Sequence, residues 1–483
     1  MIIASDAEPR VHIIKDGKLT IQNSAGGVAV ALDPIAQATN ATFVARAKYE
    51  DEKKALDRNN SIQIEGTGGK YLLKKLFFDK KTVDNYYYGF SNQTLWPLCH
   101  VAFEVPKWTD EWFEDYKKVN REFANTIKKS LVPGKKNFVW LNDYQLALVP
   151  YYLGKPKDTT VAMFWHIPWP TWEIFRILPY KKEILTSLLK CDYLAFHRGY
   201  QARNFIQTVE RELQTRVDDE TQKVYYDKNS TVVRNLPLGI DADVVESMVD
   251  KEKEEGGLLK EVVKRTIRRK PKALDSTDAL FDEYKVVLGV ARLDYTKGIK
   301  YQLLSIDKFF EENKKYIGKT IYLSIIAPSR EPIPSYKRVK DEALALAKEI
   351  NEKYQTKNWK PINLIYQVFE RKDIINFYNK ADVCLVTPLD DGMNLVSKEF
   401  VVASSLASNP GMLVLSQFAG SAIDLTSSII VNPYDINEVS KGIKEAMEMP
   451  KKEKIVRMKK MTAQLEENNI YEWGMEFIRQ ATS

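Results

Sequence analysis

The stretch 381-ADVCLVTPLDDGMNLVSKEF-400 decides the fold. Its first eight residues are a short apolar run closed by Pro388, and beyond Gly392 the chain opens into a helical pattern. Continuous apolar runs suit strands buried on both faces of a parallel sheet. A strand that hands over to a helix through an Asp/Gly turn is the repeating unit of α/β proteins. The glycine lets a ligand approach the backbone, and the free N–H groups of the first helical turn favour anionic oxygens. Gly392, Met393, Asn394 and Leu395 therefore stand where a diphosphate would rest. Asp391 at the turn can accept hydrogen bonds from a sugar, and Glu399, about one turn on, can reach ribose hydroxyls. The competing reading is a plain capped helix with Asp391 near its N-cap.

Working outward, runs of the same kind recur at 138–143, 161–168, 193–197, 231–240, 284–293, 320–329, 362–367, 411–416 and 427–433. Amphipathic segments at 182–190, 301–313 and 342–354 alternate with them, which means α/β with parallel sheets. The strands form two groups, separated by the charged stretch 251–272. Two Rossmann-like domains are expected, 1–240 and 241–464. The final segment, 465–483, carries Trp473 and Phe477 and is expected to pack back on the first domain as a helix.

The bulk properties bound the function. A chain of 483 residues is too long for one core. A net charge of +7 suits anionic small molecules and is too mild to argue for nucleic acid. The three cysteines are far apart, which fits a reducing cytoplasm. The N-terminal sequence is no signal peptide, no apolar run is long enough to span a membrane, and no His/Cys cluster suggests a metal site. A cytoplasmic protein with no metal and no cofactor is expected. A homo-oligomer is compatible with this composition but not specified by it.

Other segments carry candidate chemistry. In 289-GVARLDYTKGIK-300, Arg292 and Lys297 follow a buried strand, where two cations can neutralise a diphosphate; solvated surface cations are the competing reading. Gly26 and Gly27, in 23-NSAGGVAV-30, suit a phosphate-cradling or sugar-covering loop or an ordinary turn. Asp143 and His166 close two strands, where either a ligand or a structural role would place a polar residue. Tyr87 and Trp96, in YYGFSNQTLWP, have core packing as their ordinary reading.

Together these strings resemble the trehalose-6-phosphate synthase family of retaining glycosyltransferases. NSAGGVAVAL, FSNQTLWPLCH, HIPWPTWEIFRILP, GVARLDYTKGI and DVCLVTPLDDGMNLVSKEF occur in the family's order, and the resemblance runs through nearly the whole chain. It implies the GT-B fold, two Rossmann-like domains facing each other across a deep cleft. It implies a nucleotide-glucose donor (UDP-, GDP- or ADP-glucose), a small phosphorylated acceptor and no metal. By the same resemblance, Arg292 and Lys297 hold the diphosphate, Asp391 to Leu395 bind the donor sugar and phosphates, and Glu399 binds the ribose. His166 contacts the donor sugar and Gly26 and Gly27 close over it. Asp143 orients the acceptor hydroxyl, and Tyr87, Trp96 and Arg330 line the acceptor pocket.

The departures cluster in the acceptor half. Family members usually read Ser-Asn-Arg-Leu-Pro after the first strand, with the arginine on the acceptor phosphate. Here the stretch is Ser5-Asp6-Ala7-Glu8-Pro9: the cation is gone and two acids have arrived, which disfavours an anion there. Arg46 is a candidate replacement. The family's His-Asp-Tyr-His is Asn142-Asp143-Tyr144-Gln145, and its Glu in Ser-Glu-Phe-Ala-Gly is Gln417. The expected acceptor is glucose 6-phosphate. The alternatives are glycerol 3-phosphate, as in glucosylglycerol-phosphate synthase, and a related pseudo-glycosyltransferase reaction. A non-catalytic regulatory subunit is disfavoured by the complete donor set.

Overall fold

The computed structural model describes residues 1–15, 18–23, 27–249 and 279–483. Gly26 and the stretch 251–272 lie outside the described residues. The chain divides into two compact units, Met1–Gly239 with Ile470–Ser483, and Ile240–Asn469.

The strands of the first unit are, in chain order, Ile2–Ser5 (β1), Arg10–Lys15 (β2), Lys18–Asn23 (β3), Thr42–Arg46 (β4), Ser61–Gly66 (β5), Gly69–Leu76 (β6), Asn137–Asn142 (β7), Thr159–Trp165 (β8), Tyr193–Phe196 (β9), Arg216–Asp218 (β10), Lys223–Tyr226 (β11) and Asn229–Asn235 (β12). β2 and β3 form a separate hairpin; the rest make one sheet in the order β10-β11-β12-β9-β8-β7-β1-β4-β6-β5. From β12 to β6 every pairing is parallel, and the antiparallel strands lie at the edges. The direction of winding reverses between β1 and β7. Such a reversal leaves a crevice outside the carboxyl ends of the two strands, where α/β sheets bind ligands.

The second unit contributes Lys285–Arg292 (β13), Thr320–Ala327 (β14), Ile362–Tyr366 (β15), Val383–Val386 (β16), Met412–Ser416 (β17) and Ile429–Val431 (β18). They form an all-parallel sheet in the order β15-β14-β13-β16-β17-β18, with its reversal between β13 and β16. The ten apolar runs read from the sequence are β7, β8, β9, β12 and β13 to β18. The three amphipathic segments are the helices Lys181–Leu188, Ile299–Glu312 and Pro334–Tyr354. Among the described residues no helix is long and apolar enough to cross a membrane.

Local chemistry sets the element ends. Helix Asp110–Ser130 starts where the Thr109 side chain accepts the Trp112 N–H, has Asp110 and Glu111 in its first turn, and ends on Lys128 and Lys129. Each matches the helix dipole or satisfies an orphan donor. Asp84–Leu95 is a π-helix, wider than any sequence period suggests. Its Asn92 and Gln93 side-chain amides donate to the carbonyls of Tyr87 and Tyr88 at 2.8 and 3.0 Å, five residues back. The final helix, Ile470–Thr482, completes the core of the first unit. Phe477 stacks on Trp140 at 4.2 Å between centroids, and Trp473 lies 5.1 Å from Phe164.

Candidate active site

The donor candidates gather at the reversal of the second sheet. Arg292 is the last residue of β13, and Lys297 follows in the next turn. That turn is set by Asp294, which is fully buried. One of its carboxylate oxygens accepts the Thr296 N–H and hydroxyl, both at 3.0 Å. The other faces the Tyr336 hydroxyl at 3.2 Å and the Arg330 guanidinium at 3.4 Å. Burial opposes its charge, but Arg330, Arg292 and Lys297 win and hold the Asp294 carboxyl below its usual value. One buried carboxylate thus pairs with Arg330 and sits in the field of Arg292 and Lys297. The sequence reading missed it because nothing marks Asp294 as buried.

From the other side of the reversal comes the loop after β16. Lys297 Nζ lies 2.7 Å from Asp391 Oδ2, and the Asn394 amide donates to the same oxygen at 3.0 Å. The N-cap of helix Leu395–Ser405 is Asn394, whose Oδ1 accepts the Ser397 N–H at 3.0 Å. This corrects the capped-helix reading of Asp391, whose carboxylate is engaged with Lys297 instead. Asn394 holds φ +79°, a left-handed conformation tolerated by a short polar side chain. Burial, with the Asp391 charge beside it, pushes the Asp390 carboxyl up to about 8, so it is neutral at pH 7 and adds no charge against an anionic ligand. Glu399 lies further along the helix, where Arg371 Nε and Nη2 reach its Oε1 at 2.9 and 2.8 Å.

The loop is clamped against Gly420. Gly420 N–H donates to Asp391 O at 3.0 Å and Ser421 N–H to Met393 O at 2.7 Å. A Cβ on Gly420 would stand 1.9 Å from Gly392 O. Backbone against backbone gives no side chain that can move aside, so Gly420→Ala is expected to cost about 1–3 kcal/mol. It should also raise the donor KM by displacing Gly392 to Leu395. Thermal denaturation and donor titration measure both. A lowered Tm with an unchanged donor KM would separate this loop from the donor site.

In the first unit, Asp143 follows β7 with φ +75°, an uncommon conformation for a non-glycine residue. Its Oδ1 accepts the N–H groups of Tyr144 and His166 at 3.0 and 3.1 Å. The carboxylate therefore fixes where β8 ends and His166 begins. His166 is buried, stacked on Phe164 at 4.5 Å, with Nε2 3.1 Å from Asn142 Oδ1. Burial and the nearby His197 hold its imidazole well below the usual histidine value, so it is neutral at pH 7. Asn142, which stands where the family has histidine, thus supports His166.

Trp96 is buried, 4.0 Å from the His100 ring and 5.8 Å from Tyr144. Tyr87 sits in the π-helix with the Arg46 guanidinium 5.0 Å from its ring centroid. Gly27 begins helix Gly27–Ala38. Of the acceptor candidates, Tyr87, Trp96 and Asp143 belong to the first unit and Arg330 to the second. Of the two acids of Asp6-Ala7-Glu8, Asp6 is paired with Arg46, and Glu8 shares Lys75 with Glu52. The expected accumulation of negative charge is corrected on that point.

Comparison with known proteins identifies what the whole chain is similar to. The α,α-trehalose-phosphate synthase [UDP-forming] of Candida albicans is 30% identical over 99% of this chain and 96% of its own. The trehalose-6-phosphate synthase of Mycobacterium ulcerans is 32% identical over 96% of this chain and 90% of its own. Among solved structures, the trehalose-6-phosphate synthase OtsA superposes with a TM-score of 0.86 at 27% identity, covering 100% of this chain and 98% of that one. The fold is therefore GT-B. An α,α-trehalose-phosphate synthase (UDP-forming) from Burkholderia xenovorans in complex with glucose-6-phosphate gives 0.83 at 27% identity, over 100% of this chain and 99% of that one. The sequence model of glycosyltransferase family 20 matches residues 1–483, and the chain belongs to that family.

Proposed function

We propose that this enzyme transfers glucose from a nucleotide-glucose, UDP-glucose first among the candidates, to glucose 6-phosphate, giving trehalose 6-phosphate with retention and without a metal ion. The observation that carries the reading is the cluster at the β13/β16 reversal. There Arg292 and Lys297 stand beside a loop whose backbone is held in place by close contact with Gly420. In the reaction the bond between the sugar's anomeric carbon and the diphosphate oxygen breaks. A bond to the acceptor's anomeric hydroxyl oxygen forms on the same face. The hydroxyl proton passes to a phosphate oxygen of the leaving diphosphate.

The protein's contribution is electrostatic and positional. Arg292 and Lys297 match the charge that grows on the leaving group, and Asp294 fixes their turn. Glu399 receives the ribose. Neutral His166 offers hydrogen bonds to the donor sugar, and Asp143 orients the acceptor. The names of the relatives, UDP-forming synthases, support UDP as the nucleotide.

The test is nucleotide release by the purified protein with UDP-, GDP- or ADP-glucose, in a chelator, with glucose 6-phosphate and glycerol 3-phosphate offered separately. Release stimulated by glucose 6-phosphate is expected. Release with glycerol 3-phosphate alone would move the acceptor to that compound, and loss of activity in the chelator would remove metal independence.

A further inference from the structure

The residues that replace the family's Ser-Asn-Arg-Leu-Pro sequence bring two buried acid–cation pairs into the first unit. In one, Lys75 lies between Glu8 and Glu52, with its side chain 0% exposed. His12 Nδ1 is 3.2 Å from the same ammonium. That cation is consumed by the fold and has no path to a ligand.

The other pair differs in each respect. Arg46 ends β4, and Asp6 follows β1 directly. The register aligns Ser5 with both Ala45 and Asn142, so Asp6, Arg46 and Asp143 stand in one row across the strand ends, at the sheet's reversal. Arg46 Nε and Nη2 donate to the two Asp6 oxygens, each at 2.8 Å, while the Tyr86 hydroxyl meets Asp6 Oδ1 at 3.0 Å. This uses one edge of the guanidinium. Tyr87 lies 5.0 Å from its centre. Nη1 and the second Nη2 hydrogen carry no acceptor among the described residues, and the side chain keeps 12% of its surface exposed. A planar fork with one edge locked and the other open is shaped for two oxygens of a phosphate.

We infer that Arg46 is the residue that holds the acceptor's phosphate group in this protein, taking over from the absent N-terminal arginine, with Asp6 as its buried counter-charge. The inference rests on the acceptor proposed above. It gives the two residues opposite effects. Arg46 attracts the phosphate. Asp6 offsets the charge of the half-closed guanidinium and sets a negative charge beside the phosphate, which weakens binding.

The experiment measures KM for glucose 6-phosphate and for the donor separately. Arg46→Gln should raise the glucose 6-phosphate KM about 10-fold or more, as loss of a charge-assisted contact does, with the donor KM within about twofold of wild type. Asp6→Asn should leave the glucose 6-phosphate KM equal or lower. Arg46→Gln strands a buried carboxylate, so Asp6→Asn/Arg46→Gln, which removes both charges, serves as the second variant and should reproduce the raised acceptor KM. Arg46→Lys, which keeps the charge without the fork, should fall between.

An Asp6→Asn enzyme impaired like Arg46→Gln would mean that the pair is only structural and would overturn the inference. So would an acceptor KM unchanged in the double variant. A wild-type enzyme inert toward glucose 6-phosphate fails the acceptor proposal itself, and this inference with it. An active wild type with an indifferent Arg46 fails the inference alone.

Discussion

Arg292→Ala is expected to lower kcat about 10²- to 10³-fold, the usual cost of removing one preorganised group from developing charge. Arg292 closes β13 at the reversal of its sheet and contributes to the field that keeps Asp294 ionised. Lys297 cannot make up the whole loss, because its single ammonium, shared with Asp391 at 2.7 Å, lacks the planar fork of the guanidinium. The leaving diphosphate gains charge as the glycosidic bond stretches, so the loss should appear mainly in kcat and less in the donor KM. Arg292→Lys should recover part of the rate, since it restores charge without the planar fork. Single-turnover nucleotide release would measure both variants. Near-normal turnover in the alanine enzyme would remove Arg292 from the mechanism.

Phe477→Ala should have the largest effect on stability. The ring is 0% exposed. It stacks on Trp140 at 4.2 Å, meets Tyr193 edge-on at 5.2 Å and lies 5.7 Å from Phe164. Phe164 in turn stacks on His166, so the terminal helix also supports a site residue. Truncating a buried phenylalanine costs about 3–5 kcal/mol. For a unit of this size that corresponds to a fall in Tm of roughly 6–20 °C. Scanning calorimetry would read it. An unchanged transition would show that the helix does not belong to the core of the first unit.

The fold was legible where local pattern and burial agree. Runs such as 411-GMLVLS-416 are apolar on both faces because their strands lie inside a parallel sheet, and their shortness sets them apart from a buried helix. Strands of the first third were harder to read. β1 is only Ile2–Ser5, β5 lies at a sheet edge, and the π-helix Asp84–Leu95 has neither the helical nor the strand period.

The site divides in the same way. Asp391 to Leu395 could be read because strand, turn and helix are consecutive. Yet the cap belongs to Asn394, since Asp391 is drawn to a lysine 94 residues away. Asp6 and Glu8 looked hostile to an anion because the cations that neutralise them come from distant strands, Arg46 being 40 residues on. Pairings of that separation are decided by sheet order, which one sequence does not display.

The return of Ile470–Thr482 to the first unit has a consequence for synthesis. The second unit is one continuous segment, and its two ends, Ile240 and Asn469, are already joined by a β-bridge. It can complete itself as soon as residue 469 has left the ribosome. The first unit, although begun earlier, must hold Trp140 and Phe164 without their lid while about 230 further residues are made. The half of the enzyme translated first is therefore the half that finishes folding last, and the interval between is when a chaperone would find its exposed aromatic face.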